Sequence, residues 1–160
     1  MITLTRLYRF SASHRLHSPA LGEAENERLY GKCNNPFGHG HDYILEVTAT
    51  GTVDAVSGRL LPLAKLDQLV QEKILQLFAN RNLNLDLPEF ARLVPTTENI
   101  ALVIARLLEQ HWNAYLGPIA ARLSRIHVQE TDRNKFEVLL PVRDQPSSPD
   151  LKSERLPVHA

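Results

Sequence analysis

The sequence predicts an α+β domain, a four-stranded antiparallel sheet with two helices packed on one face. Three observations predict it. Two N-terminal segments alternate along the chain with the period of strands, two central segments repeat apolar residues at three- and four-residue steps, and two more alternating segments follow. The order strand, strand, helix, helix, strand, strand, with short turns between adjacent strands, favours antiparallel pairing and segregated helices.

The first strand is read over residues 2–14, with Leu4, Arg6, Tyr8, Phe10, Ala12 and His14 on one side. The second is read over 41–53, where His41, Tyr43, Leu45, Val47 and Ala49 share a face. Between them lie roughly two dozen residues carrying Pro19, Gly22, Gly31, Pro36 and Gly38, and connections of that length are usually functional or mobile. Asp54–Gly58 signals a turn. A helical stripe follows in Leu66, Leu69, Val70, Ile74, Leu77 and Phe78, ending near Asn80. A second helix begins at Thr96-Thr97-Glu98-Asn99. Thr96 or Thr97 suits the N-cap, Glu98 suits the positive end of the dipole, and Gly117-Pro118 stops the helix. Strands are expected over 123–131 and 135–142, joined by Asp132-Arg-Asn134. Residues 1–142 therefore form one domain, and 143–160, with three prolines and three serines, read as a disordered tail. The sheet's second face also carries polar residues, so neighbouring subunits are candidates to close its edges.

Bulk composition narrows the function. Lys+Arg and Asp+Glu both number 18, which leaves no global field for nucleic acid or an acidic membrane. No apolar run reaches the length of a membrane span, and Met1-Ile-Thr-Leu-Thr-Arg lacks a signal-peptide core. One cysteine excludes an intrachain disulfide framework, and a cytoplasmic location is the default expectation.

The chemistry concentrates in two histidine clusters. His39 and His41 lie in Cys33-Asn-Asn-Pro-Phe-Gly-His-Gly-His-Asp-Tyr43, and His14 closes the first strand. Residues two apart share a strand face, so His39 and His41 project together. A third imidazole from another strand would complete a tripod with one coordination position open, the pattern of a catalytic zinc site. By spacing alone, two histidines do not make a site, and the pairing with His14 is an inference. His111, His127 and His159 read as ordinary half-buried or surface residues, and His17 as a loop residue. Cys33 has two readings: a small buried residue, or a reactive thiol whose thiolate Lys32 would favour. Glu130 sits on the apolar side of its strand. It is either an ion-pair or strand-end residue, or a carboxylate that accepts two parallel N–H donors from a flat heterocycle.

Five blocks, taken together, resemble the 6-pyruvoyltetrahydropterin synthase family: Phe10-Ser-Ala-Ser-His14-Arg-Leu-His-Ser-Pro19, Gly31-Lys-Cys33-Asn-Asn-Pro, Gly38-His39-Gly40-His41, Thr96-Thr-Glu-Asn99 and Glu130-Thr-Asp132. The likeness runs in order from Leu7 to Val142. The related 6-carboxytetrahydropterin synthases share the metal and thiol pattern, but Gly-Lys-Cys-Asn-Asn-Pro is closer to the pyruvoyl enzymes. The resemblance implies a tunnelling fold, in which sheets from three subunits close a barrel and two trimers stack into a hexamer. It implies Zn2+ on His14, His39 and His41, a catalytic thiol at Cys33, a pterin anchor at Glu130, and a pterin-lining segment at Thr96, Thr97 and Glu98. The implied substrate is 7,8-dihydroneopterin triphosphate, from which triphosphate is eliminated.

One departure bears on that expectation. The family carries an Asp-His pair after the first helix that relays protons with the cysteine, and here Ala79 and Asn80 occupy those positions. A general base contributes about 10²–10⁴-fold, and an asparagine does not titrate near neutrality. Two alternatives to the standard lyase therefore stand beside it: altered pterin side-chain chemistry (6-carboxytetrahydropterin formation or retro-aldol cleavage) and non-catalytic pterin binding.

Overall fold

The structure is a computed structural model that describes residues 1–141; Val142 and the segment read as a disordered tail lie outside them. β1 (Ile2–His14) and β2 (His39–Gly51) form a long antiparallel pair, from Ile2 opposite Gly51 to His14 opposite His39. β2 pairs with β4 (Arg122–Gln129), and β4 with β5 (Lys135–Leu139), both antiparallel. A two-residue β3 (Arg81–Asn82) runs parallel to the end of β1, giving the order β3-β1-β2-β4-β5. The α+β class holds, but the sheet has five strands and is mixed, not four and purely antiparallel. Two residues are too short for alternation to register, which is why β3 escapes a periodicity search.

The helices lie on the face carrying Phe10, Tyr43, Leu45, Val47, Ile126 and Val128. The helix at 63–78 (α2) contributes Leu66, Leu69, Val70, Ile74 and Phe78, and is continuous through one π-helical turn at Gln71–Leu75. The short α3 (Leu83–Asp86) follows β3, and then the long α4 (Thr97–Leu116) contributes Ile100, Val103, Ile104, Leu107 and Leu108. Thr96 is the N-cap of α4, with its hydroxyl accepting from the Asn99 N–H at 3.4 Å, and Gly117, at φ 71°, ends the helix. The other sheet face is polar. Thr3 pairs with Thr50, Thr5 with Thr48, and Arg125 bridges Glu46 and Glu137.

The connection from β1 to β2 is ordered. It contains α1 (Glu23–Tyr30), absent from the sequence expectation, and a 3-10 turn at Gly31–Asn34. The only buried residue of α1 is polar, so no apolar stripe marks it. That residue is Asn26, fully buried. Its Oδ1 accepts the Ser18 N–H at 2.7 Å, and its Nδ2 donates to the carbonyls of Ser18, Leu21 and Gly22. At the far end of the connection Gly38 has φ 71°, and a Cβ there would stand 2.8 Å from the His14 carbonyl oxygen, so glycine is required where the chain turns into β2.

Replacing Asn26 with alanine removes the partner of the Ser18 N–H and of the Leu21 carbonyl, while the Ser18 and Gly22 carbonyls keep backbone donors. The expected loss is about 2–3 kcal/mol of unfolding free energy, read from urea denaturation. A change below about 0.5 kcal/mol would show that the amide does not clamp this connection.

Candidate metal and pterin site

The β1–β2 register builds the site. His14 stands opposite His39, and His41 stands opposite Ala12, whose small side chain leaves room for the ring. All three imidazoles emerge on the core face, above the stacked rings of Phe10 and Tyr43 at 5.1 Å between centroids. β2 starts at His39, two residues before the sequence expectation, so both of its histidines are strand residues.

The imidazoles converge. One nitrogen from each of His14, His39 and His41 falls within a common 4.8 Å. His14 is fully buried, and its Nδ1 lies 2.7 Å from the Pro95 carbonyl oxygen. A carbonyl only accepts, so Nδ1 carries the proton and Nε2 presents a lone pair. That Nε2 is 3.2 Å from the Nε2 of His39. With zinc–nitrogen bonds of 2.0–2.1 Å, the edge of a tetrahedron is about 3.3 Å, so the pair is spaced as two ligands of one ion. The Nε2 of His41 is buried with no hydrogen-bond partner. An unsatisfied buried nitrogen costs about 1–3 kcal/mol, and a cation at the meeting point removes that cost. Burial holds the imidazole of His14 below its ordinary value, and burial followed by the neighbouring His41 does the same for His39. Neutral imidazoles in this spacing fit a divalent ion of the zinc type, and the Pro95 carbonyl is the partner that fixes the ring of His14.

Glu130 stands beside the cluster, just past the end of β4. Its Oε1 is 3.7 Å from the Nε2 of His14, 3.8 Å from that of His41, and accepts the Thr97 hydroxyl at 2.7 Å. Of the segment at 96–98, Thr97 alone makes this connection: Thr96 caps α4 and Glu98 is exposed. The Tyr43 hydroxyl is buried without a partner, and its pKa is raised by burial and then by the charge of Glu130.

Cys33 lies in the 3-10 turn, half-buried, and its carbonyl accepts the Leu16 N–H at 2.8 Å. Arg15 donates from Nε to the Asn34 carbonyl, and the Asn34 side chain meets His17 at 3.0 Å. These bonds tie the turn to the segment that leaves β1. Burial and then the Glu130 carboxylate push the Cys33 thiol up. The expected help from Lys32 is not seen, because that side chain is exposed and the nearest influential charge is negative.

Asn80 has φ 59°, donates its N–H to the Ser11 carbonyl at 2.7 Å, and lines an open cleft with Ser11, Ser13, His41, Asp42 and Arg81. Ser11, Ser13 and Asp42 alternate with the site residues and so face the other side of the sheet. His127 pairs with Glu46, and His111 Nδ1 bonds the Leu107 carbonyl, so neither joins the cluster. The Pro95 carbonyl is the site contributor that sequence patterns missed, since a backbone oxygen leaves no trace in residue type.

The family model described as 6-pyruvoyl tetrahydropterin synthase matches residues 3–139. The chain is 43% identical over 131 residues to the 6-pyruvoyl tetrahydrobiopterin synthase of Homo sapiens, covering 82% of this chain and 86% of that one. It is 43% identical over 132 residues to the synthase of Poecilia reticulata, covering 82% and 85%. The solved structure of Caenorhabditis elegans 6-pyruvoyl tetrahydropterin synthase superposes with a TM-score of 0.78 at 36% identity, covering 88% of this chain and 96% of that chain. The chain belongs to the 6-pyruvoyl tetrahydropterin synthase family. Its subunit has the tunnelling fold of that family.

The depressed histidines set a pH dependence for the metal-free protein. An imidazole held below its unfolded value of 6.5 takes up protons first in the unfolded chain, so stability falls as pH drops through that value and is restored above it. Urea denaturation of metal-free protein from about pH 7.5 to about pH 5.5 should show a loss that shrinks in a His14→Gln/His39→Gln variant. An equal loss in both proteins would place the acid sensitivity elsewhere.

Proposed function

We propose that the protein is a zinc-dependent, pterin-binding lyase of the 6-pyruvoyltetrahydropterin synthase type. The observation that carries this reading is the convergence of three imidazole nitrogens beside a half-buried carboxylate, in a chain of that family. The proposed substrate is 7,8-dihydroneopterin triphosphate. A metal held by His14, His39 and His41 would supply Lewis acidity to the hydroxylated side chain of the substrate.

The chain's own residues supply the rest. Glu130 accepts N–H donors from the edge of the pterin ring, with Thr97 fixing one carboxylate oxygen. Cys33 removes and returns protons along the side chain. Loss of triphosphate takes the leaving group from one carbon and a proton from its neighbour, and proton shifts then leave a dicarbonyl with no outside oxidant. Burial and the Glu130 carboxylate raise the thiol, and a divalent cation held by the imidazoles would counter the carboxylate's part of that effect. The reading includes a cytoplasmic location and a homo-oligomer, a hexamer built as a dimer of trimers. Supporting the oligomer, β3 covers only Ala12 and Ser13 of the outer edge of β1, and the sheet face opposite the helices is polar.

A second reading is supported by Ala79 and Asn80. The relay positions hold no titratable group, and Asn80 lines an open cleft that also includes His41. Altered side-chain chemistry, giving a 6-carboxytetrahydropterin or a retro-aldol product, or pterin binding without turnover, is the alternative.

Product analysis with 7,8-dihydroneopterin triphosphate separates these readings. Triphosphate release and 6-pyruvoyl product, reduced about 10²-fold or more in Cys33→Ala, is the expected result. A different main product, or binding with no turnover, favours the second reading. Ala79→Asp combined with Asn80→His should raise pyruvoyl formation if only the relay is missing.

A further inference from the structure

We propose that Glu130 is a displaceable fourth metal ligand: in the substrate-free protein its Oε1 closes the coordination position left open by the imidazoles, and a ring that engages the carboxylate draws it away. This inference rests on the metal reading above. It goes beyond ring anchoring, because it gives the same carboxylate a role before the ring arrives.

The geometry carries it. Oε1 is 3.7 Å from the Nε2 of His14 and 3.8 Å from that of His41. Both separations exceed the nitrogen–oxygen edge of a tetrahedral zinc site, about 3.3–3.5 Å, by only a few tenths of an ångström, so a small side-chain rotation would bring Oε1 to ligand distance of an ion held by these rings. The Nε2 of His14 presents a lone pair, since its Nδ1 proton is committed to Pro95. A carboxylate oxygen aimed at that lone pair is repelled unless a proton or a cation lies between them. The carboxylate is also held as ligating carboxylates are held, by a hydrogen bond from a buried hydroxyl, here that of Thr97 at 2.7 Å. The backbone of Glu130 is anchored at the turn after β4, its N–H donating to the Asn134 carbonyl, so side-chain rotation alone suffices for release.

Two consequences follow. The resting metal keeps no open position for adventitious anions. Engagement of the carboxylate by a ring exposes the coordination position at the moment the ring's side chain is beside it, coupling recognition to activation.

Cobalt-substituted protein tests this without turnover. Visible ligand-field spectra report the coordination shell, and azide reports access to an open position. Glu130→Gln, with its fold checked by circular dichroism and urea midpoint, should shift the cobalt spectrum, weaken cobalt retention against a chelator about tenfold and strengthen azide binding about tenfold. Thr97→Val should strengthen azide binding by less. Free pterin should strengthen azide binding in the wild-type protein and leave it unchanged in Glu130→Gln. Unchanged spectrum, retention and azide binding in Glu130→Gln would overturn the proposal while leaving the three-histidine site standing. Failure of pterin to alter azide access would overturn displacement. A wild-type chain that takes up no cobalt would overturn both the proposal and the metal reading.

Discussion

The pairing of β1 with β2 is the constraint on which the site depends. Its register puts His14 across from His39 and His41 across from Ala12. A slip of one residue in either strand would send those rings to the opposite sheet face. Several features hold the register. The ladder is long, Phe10 stacks on Tyr43 deeper in the same face, and Gly38 admits the close approach of the chain to the His14 carbonyl. The three imidazoles therefore sit at the end of a long strand pair and not on a free loop, which suits a site that needs its donors fixed.

The electrostatics of the cluster make sense as those of a site built around a positive charge. Burial disfavours the imidazolium forms of His14 and His39, the Nε2 of His41 has no partner, and the Glu130 carboxylate raises both the Cys33 thiol and the Tyr43 hydroxyl. Each of these is a cost of gathering lone pairs and an acidic group in a half-buried space. A divalent cation at their meeting point would offset them together, by taking the lone pairs and balancing Glu130. Thr97 and Pro95 orient the groups around that point from the start of α4, so the helix–sheet packing also fixes the site's orientation.

Much of this arrangement is legible in residue order, and the parts that are not have physical reasons. Strand parity alone puts His39 and His41 together and His14 on the face of Phe10. The Thr-Thr-Glu pattern marks the start of α4. The Gly-His-Gly-His run conceals the true start of β2, because glycines flanking a histidine resemble a turn, yet His39 pairs with His14 in the ladder. α1 carries a buried asparagine where periodicity searches for apolar residues. The effect of Lys32 on Cys33 fails because adjacency in the chain says nothing about exposure, whereas Glu130, almost a hundred positions away, acts on the thiol through space. Thr97 and Glu98 are neighbours in sequence, but helix geometry buries one and exposes the other.

The central claim is that the chain gathers its imidazoles around one zinc ion. Metal analysis of purified protein, joined to anomalous scattering from its crystals, tests that claim most directly. One zinc per chain is expected, about 2.0–2.1 Å from a nitrogen of each of His14, His39 and His41. A zinc-supplemented protein with no metal there, or with metal bound by other residues, would contradict it.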